Sequence, residues 1–377
     1  MSDRMYIDIH ILQSLPPSNV NRDDTGSPKT AIYGGSRRAR VSSQAWKRAT
    51  RKRFNSTLNK SELGYRTKRL AELLGDLLTD RVVGLGKTDA YALASAVFAA
   101  SGIKMTTPKA KKGEPAKPDE SGYLIFLSAA QLDALAELAA NAHSTGELPD
   151  KKRVKQVIDT DHSIDVALFG RMVADDADLN VDASVQVAHA LGVQAVEQEF
   201  DYFTAVDDFH ESRHETGAGM IGTIEFNSST LYRYATINVA GLAANLGDLS
   251  ATSRAAATFV ESFALSMPTG KLNTFANNVV PDAVLICIRD DQPVNLVGAF
   301  EEAIEPAVGS GVLSQAAQSL ASRESDVAAA YGGPTAKFFT AVNPAADALA
   351  EVGERLSIAE LVARVSASVT TELSAPA

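Results

Sequence analysis

The chain has 377 residues, 45% of them apolar and 22% charged, with a formal net charge of -10 and a pI of about 5.2. This is enough chain for one full core or two domains, with the composition of an ordinary soluble globular protein, read as cytoplasmic. No apolar run approaches the ~20 residues that span a bilayer, and the lone cysteine, Cys287 in the apolar run AVLICIR, excludes an internal disulfide and reads as a buried thiol.

The opening MSDRMYIDIHIL lacks a basic leader followed by an apolar core, so it reads as a first strand and not a signal peptide. Within it Ile7, Ile9 and Ile11 alternate with Tyr6, Asp8 and His10, the pattern of a half-buried strand. SLPPSNVNRDDTGSPKT follows and reads as a loop. AIYGGSRRARVS then gives two short extended pieces about a Gly34-Gly35 turn, and Ser42 or Ser43 offers an N-cap for a helix through Phe54.

Charge is unevenly spread over this stretch. Residues 1–60 carry twelve Lys and Arg against four Asp, and no acid occurs from Thr25 to Phe54. A basic surface on an acidic body suits a protein that grips a polyanion at one place, although a solvated basic helix paired with acids elsewhere gives the same composition. At 100° per residue, Ala45, Trp46, Ala49, Thr50 and Arg53 share one side of the helix and Lys47, Arg48, Arg51 and Lys52 the other. Lys47 and Arg51 stand one turn apart, which suits successive phosphates. The free N–H groups of the first turn, with Ser42, Ser43 and Gln44, add an anion site.

Residues 60–180 change texture. RTKRLAELLGDLLTDRV, TDAYALASAVFAASG and SAAQLDALAELAANAH have helical spacing and are interrupted by TTPKAKKGEPAKPDESG, residues 106–122, a segment whose composition does not support folding on its own. EFDYFTAVDDFHESRHETGAGMIGTIEF, residues 199–226, is too polar and Gly-rich for core and reads as a protruding loop or hairpin. Strand signals return in LYRYATINV, PDAVLICIR and AKFFTAVN, with helices expected in TSRAAATFVESFALSM and NLVGAFEEAIEPAV. The whole predicts an α+β fold with a ferredoxin-like or RRM-like core.

Three further readings compete. Asp23 and Asp24 could hold Mg²⁺ beside a basic surface, although Asp is also a common loop former. His210 and His214 have i,i+4 spacing, but nearby Gly217 and Gly219 oppose a helix there, and a solvated loop is the simpler reading. No HExxH, no phosphate-binding GxxxxGK[ST] and no supported Ser-His-Asp or Cys-His arrangement is present. A protein-interaction scaffold that binds no RNA is the remaining alternative.

The strings SNVNRDD, AIYGGSRRARVSSQAWKRA, VALFGRM, YFTAVDD, IEFNSSTLYRYATINV and PTGKLNTFA occur in this order. Together they resemble the CasC family, the RAMP-superfamily backbone subunit of the type I-E CRISPR Cascade surveillance complex, over nearly the whole chain. The resemblance implies an RRM-like palm from residues 1–59, 181–198 and 227–377, a helical fingers insertion over 60–180, and a thumb hairpin over 199–226. It implies binding of CRISPR RNA (crRNA) by copies of the chain in a helical filament. The guide then pairs with target DNA in antiviral defence, alongside the large, small, 5′-end cap and crRNA-processing subunits.

No catalysis, cofactor, metal or membrane is implied. Related type III backbone subunits cut RNA with a loop acid, which keeps Asp23 and Asp24 in view as a ribonuclease alternative. Carried over by position, Asn21, Arg22, Lys29, Ser42, Ser43, Gln44, Lys47 and Arg51 would contact the RNA backbone. Met172, Phe203, Thr204 and Val206 would sit at a kinked nucleotide, where apolar wedges fill the space of a flipped base. Lys271 would add a backbone contact. From the residues alone Met172 reads as a core residue. Arg37, Arg38, Arg40, Arg48 and Lys52 are left without an assigned ligand. The stretch 106–122 and FHESRHETGAG depart from the family pattern.

Overall fold

The computed structural model describes residues 4–110, 117–173, 176–206, 218–306 and 309–374, with side chains left out at 205–206 and 218–221. The chain divides into two units, one of Met1–Arg53, Gln186–Ile237 and Ala256–Ala377, the other of Phe54–Val185 and Asn238–Ala255. The fold is α+β, as the sequence predicts.

The first unit is built on one large sheet. Besides the short Val185–Val187, which pairs with Ala218–Asn238, its strands are β1 (Tyr6–Ser18), β2 (Thr30–Tyr33), β3 (Ser36–Val41), β4 (Ala190–Gly192), β5 (Glu199–Val206), β6 (Ala218–Asn238), β7 (Ala283–Arg289), β8 (Ala336–Ala341) and β9 (Glu354–Arg355). They lie in the order β9-β8-β7-β1-β6-β4-β3-β2, with β5 paired to β6 off that path. β1 runs antiparallel to β7 from Tyr6↔Arg289 to Leu12↔Ala283. The β2–β3 hairpin turns on Gly34 (φ +55°) and Gly35 (φ +76°), the pair of positive φ angles that a two-residue hairpin with the native twist requires.

β1 departs from its sequence reading in two ways. Ile7, Ile9 and Ile11 are buried, but so are Asp8 and His10 on the opposite face, because β1 is central and covered on both sides. Burial is tolerated because the Asp8 carboxylate and one ring nitrogen of His10 find partners, although His10 Nε2 has none. Asp8 pairs with Arg289 at 3.2 Å and accepts from the Tyr234 hydroxyl at 2.8 Å and the Val294 N–H at 2.9 Å. His10 Nδ1 meets the Tyr232 hydroxyl at 2.8 Å. The strand also continues through Pro16 and Pro17 to Ser18, beyond the Leu12↔Ala283 end of the β7 ladder, where the missing proline N–H groups cost that ladder nothing.

Helices cover the sheet. They are α1 (Ser43–Thr57), α2 (Leu249–Leu265), α3 (Val312–Tyr331) and α4 (Ile358–Ser374). Leu12, Tyr232, Leu285, Cys287 and Phe339 share a core with Ala316, Ala317 and Leu320 of α3. The neighbouring residue of β8, Phe338, points the other way, with Arg364 of α4 at 5.2 Å from its ring centre. In NLVGAFEEAIEPAV the expected helix is only a 3-10 turn, Leu296–Phe300. Gly298 within the turn and Pro306 after it both oppose extension.

The second unit is mostly helical. Leu70–Arg81, Lys87–Ala100, Ala129–Thr145 and Lys151–Ile158 pack around Leu74, Leu78, Phe98, Leu135 and Ile158. Ser128 and Gln131 close a capping box before the third of these, with Gln131 N donating to Ser128 Oγ at 3.0 Å and Ser128 N to Gln131 Oε1 at 2.9 Å. The ends of the Lys/Pro-rich stretch are held. Met105–Thr106 pairs with Glu120–Ser121, and Asp119 accepts from Thr107 at 2.7 Å and from Ser95 at 2.6 Å.

Candidate nucleic-acid interface

The start of α1 faces an open groove of about 880 Å³ in the first unit, lined by Val20–Gly26, Ser42, Gln44, Ala45, Arg48, Ala49, Lys52 and Met267–Gly270. Helix α1 is fixed from beneath by Trp46, 1% exposed, edge-on to Phe263 at 6.5 Å between ring centres. The buried guanidinium of Arg233 lies 3.7 Å from the centre of the Trp46 ring and donates to Gln13 Oε1 at 2.7 Å and to the Phe263 carbonyl. Burial lowers the Arg233 pKa to about 9, so it stays cationic at neutral pH. With Trp46, Ala49, Thr50 and Phe54 turned inward, the polar side of α1 is left to the surface.

That polar side is itself divided. Gln44, Arg48 and Lys52, successive i,i+4 positions, are exposed and line the groove. Ser43, Lys47 and Arg51 are half-buried and lie outside the groove lining. Partial burial pulls the Lys47 ammonium below its ordinary pKa. Ser42 caps the helix, its Oγ accepting from Ala45 N at 3.4 Å, while its own N–H donates to Asn21 Oδ1 at 2.9 Å.

The facing loop is braced from within. Asn19 Nδ2 donates to the Gly26 carbonyl at 3.0 Å and the Glu225 carbonyl at 2.9 Å, and the Asn21 carbonyl accepts from Lys29 N at 2.9 Å. Asp23 Oδ1 accepts from the Thr25 hydroxyl at 2.7 Å, Thr25 N at 2.9 Å and Ser27 N at 3.0 Å. The Thr25 hydroxyl, foremost, holds the Asp23 carboxyl below its usual pKa. This Asx-type bracing engages Oδ1 in shaping the loop. Among the described residues no group of three or more His, Cys, Asp or Glu could hold a metal ion, and His210 and His214 lie outside the described residues.

The Met267–Gly270 segment meets the loop backbone to backbone. A Cβ at Gly270 would stand 2.3 Å from the Val20 carbonyl oxygen, so only glycine fits. Lys271, the next residue, is half-buried and held in the left-handed region at φ +49°.

The other basic residues part company. Arg38 is fully buried and donates to the Gly192, Val193 and Glu301 carbonyls at 3.1, 2.9 and 3.0 Å. It therefore reaches no ligand, and its place among the unassigned surface cations is corrected. Arg37 and Arg40 both turn to Thr30, through Oγ1 at 3.4 Å and the carbonyl at 3.3 Å. Arg22 is exposed in the groove and Lys29 half-buried beside it.

On the hairpin, β5 pairs with β6 from Glu199↔Phe226 to Val206↔Ala218. Phe203 lies opposite Gly222, where a Cβ would come within 2.4 Å of its ring, and Thr204 is exposed. Val206 is placed by its backbone alone. Phe200 and Tyr202 are 65% and 63% exposed on the other face of β5. Met172 belongs to the second unit and is 80% exposed, which overturns its reading as a core residue. The residues that sequence reasoning left unassigned at the groove are Arg48 and Lys52. Their spacing with Gln44 was the available signal.

Sheet, groove and hairpin define an α+β protein with a polar track at the start of one anchored helix. The chain belongs to the CT1975-like protein family, whose profile matches residues 7–364. It is similar to a chain of a solved CRISPR RNA-guided surveillance complex in a pre-nicking state, with 33% identity, TM-score 0.84, and coverage of 97% of this chain and 100% of that one. A chain of another CRISPR RNA-guided surveillance complex is 30% identical, with TM-score 0.74 and coverage of 95% and 99%. No curated protein sequence matches. No helix among the described residues is long and apolar enough to cross a membrane.

Proposed function

We propose that this chain is a crRNA-binding backbone subunit of a type I-E surveillance complex, a CasC-like protein of which several copies assemble along one guide RNA. The observation that carries the reading is full-length similarity, at 33% identity, to a chain of a CRISPR RNA-guided complex. The groove supplies a physical basis. Arg48 and Lys52 give charge one turn apart, Gln44 and Ser42 give polar groups at the helix start, and Arg22 stands on the opposite wall. In this reading the sheet unit is the palm, the helical unit the fingers and the β5–β6 hairpin the thumb. Phe203, Thr204, Val206 and Met172 serve the kinked nucleotide, and Lys29, Ser43, Lys47, Arg51 and Lys271 extend the backbone contacts.

The subunit performs no bond chemistry and holds the guide so that target DNA can pair with it. Purification of the complex followed by sequencing of its RNA tests this. The expected result is one class of short guide RNAs of uniform length, with RNA affinity that falls steeply with salt. Protein free of RNA, without salt-dependent affinity, would favour the interaction scaffold. Mg²⁺-dependent cuts in complementary RNA, lost in Asp23→Ala, would favour the ribonuclease.

A further inference from the structure

Beside the groove, the strand that enters β4 brings His189 against β3. His189 Nδ1 lies 3.0 Å from Arg40 Nη1, and the Arg40 backbone N–H donates to the Lys29 carbonyl at 2.9 Å. Arg37, three residues before Arg40 on the same strand, is exposed, as is His189. Three cations and a histidine thus gather on one edge of the sheet unit. Among the described residues no carboxylate forms an ion pair with Lys29, Arg37 or Arg40. Arg40 is instead steered by the Thr30 carbonyl and by the imidazole, an arrangement that fixes the guanidinium without neutralising it.

The cluster adjoins the groove through a single residue. Asn21 accepts from Ser42 N with its side chain and from Lys29 N with its carbonyl, so it ties the start of α1 to the cluster. A polyanion leaving the groove past Asn21 reaches Lys29 and then Arg40 and His189. We infer that Lys29, Arg40 and His189 form a second backbone-phosphate site continuous with the groove, in which His189 becomes a proton-bearing donor when RNA is bound. Within the reading as an RNA-binding backbone subunit, this assigns Arg40 and His189 as contact residues and makes RNA affinity depend on pH.

The charges facing His189 explain the direction. Burial, then Arg40 of β3 and then Lys29 of the preceding loop, lower its pKa from the ordinary value of 6.5. The free protein therefore holds the ring neutral at pH 7. A phosphodiester placed between these groups offsets both cations and favours the imidazolium. RNA binding then takes up a proton, and affinity rises as pH falls.

The experiment measures single-stranded RNA binding to the full chain by fluorescence anisotropy at pH 7.5 and 5.5, across a salt series. Wild type, His189→Gln, Arg40→Gln and Arg40→Lys are compared, with thermal unfolding confirming that each is folded. Wild type is expected to bind several-fold tighter at the lower pH, and His189→Gln to lose that gain. Arg40→Gln should reduce the salt slope by about 1, as expected for one lost phosphate contact, and Arg40→Lys should restore it.

An unchanged pH ratio in His189→Gln, or an unchanged slope in Arg40→Gln, overturns the second site while the RNA-binding reading stands. Wild type that binds no RNA at either pH overturns that reading itself. A His189-dependent response to inorganic phosphate, without any difference in RNA binding, would make this a site for the free anion and also overturn the inference.

Discussion

The interior of the sheet unit and the groove beside it use arginine in opposite ways. Arg38 and Arg233 are fully buried, each held by carbonyl or amide oxygens, and Arg233 also by the face of Trp46. Arg48 is exposed at the groove wall on a helix that Arg233 helps to anchor. One set spends its hydrogen bonds on oxygens of the protein's own interior, and the other faces the groove. A run of basic residues is therefore not yet a basic surface. What each guanidinium meets in three dimensions decides which role it takes.

Substitutions can break this contrast at either end. Arg233→Ala should be the most damaging to the fold, by about 3 kcal/mol or more. It removes a large buried side chain and leaves Gln13 and two carbonyls without a donor. Urea unfolding at neutral pH measures it, and the loss should be accompanied by a change in Trp46 fluorescence. Arg38→Ala should cost about 2 kcal/mol in the same assay, because the Gly192, Val193 and Glu301 carbonyls each lose one donor, Val193 keeping the Ile304 N–H.

His10 tests whether the interior also suppresses a titratable group. Burial, then Arg289, lowers its pKa to about 3, so the native ring stays neutral while the unfolded chain takes up a proton below pH 6.5. The unfolded state then binds more protons, and stability is lost as pH falls, by about 1.4 kcal/mol per unit. Asp8, whose pKa desolvation raises, works in the opposite sense at lower pH, since its native carboxyl binds a proton more readily. Denaturation between pH 6.5 and 5 should show a shallower slope in His10→Gln than in wild type. Arg48→Glu should change stability least, by less than about 0.5 kcal/mol, while RNA affinity falls about tenfold and the salt slope shrinks. An Arg48→Glu protein as unstable as Arg38→Ala would dissolve the distinction between the two regions.

Much of this was legible locally. The Gly34-Gly35 turn follows from the conformational freedom the hairpin requires, and the apolar seat of α1 follows from the spacing of Trp46, Ala49 and Thr50. The strands at Ala283–Arg289 and Ala336–Ala341 stand out as dense apolar runs. What stayed hidden depends on partners far along the chain. Asp8 and His10 look like the wet face of a strand until Arg289, Tyr234 and Tyr232 arrive from more than 220 residues away. Arg38 looks like its neighbours until Gly192, Val193 and Glu301 surround it. Wheel geometry separates the basic side of α1 from the buried side but does not place the loop that makes Gln44, Arg48 and Lys52 the groove wall. His189 gave no signal at all, because nothing near it in the sequence is basic.

The contact between Gly270 and Val20 has a consequence for binding energetics. Two backbone segments in van der Waals contact, with one of them also tied to Ser42 through Asn21, leave the walls of the groove little freedom to rearrange. A strand that enters therefore meets donors already near their final spacing. Little ordering entropy is lost on association, and more of each charge contact appears as affinity. Enlarging this glycine by a single methyl group would alter the groove's width without changing any other residue that lines it.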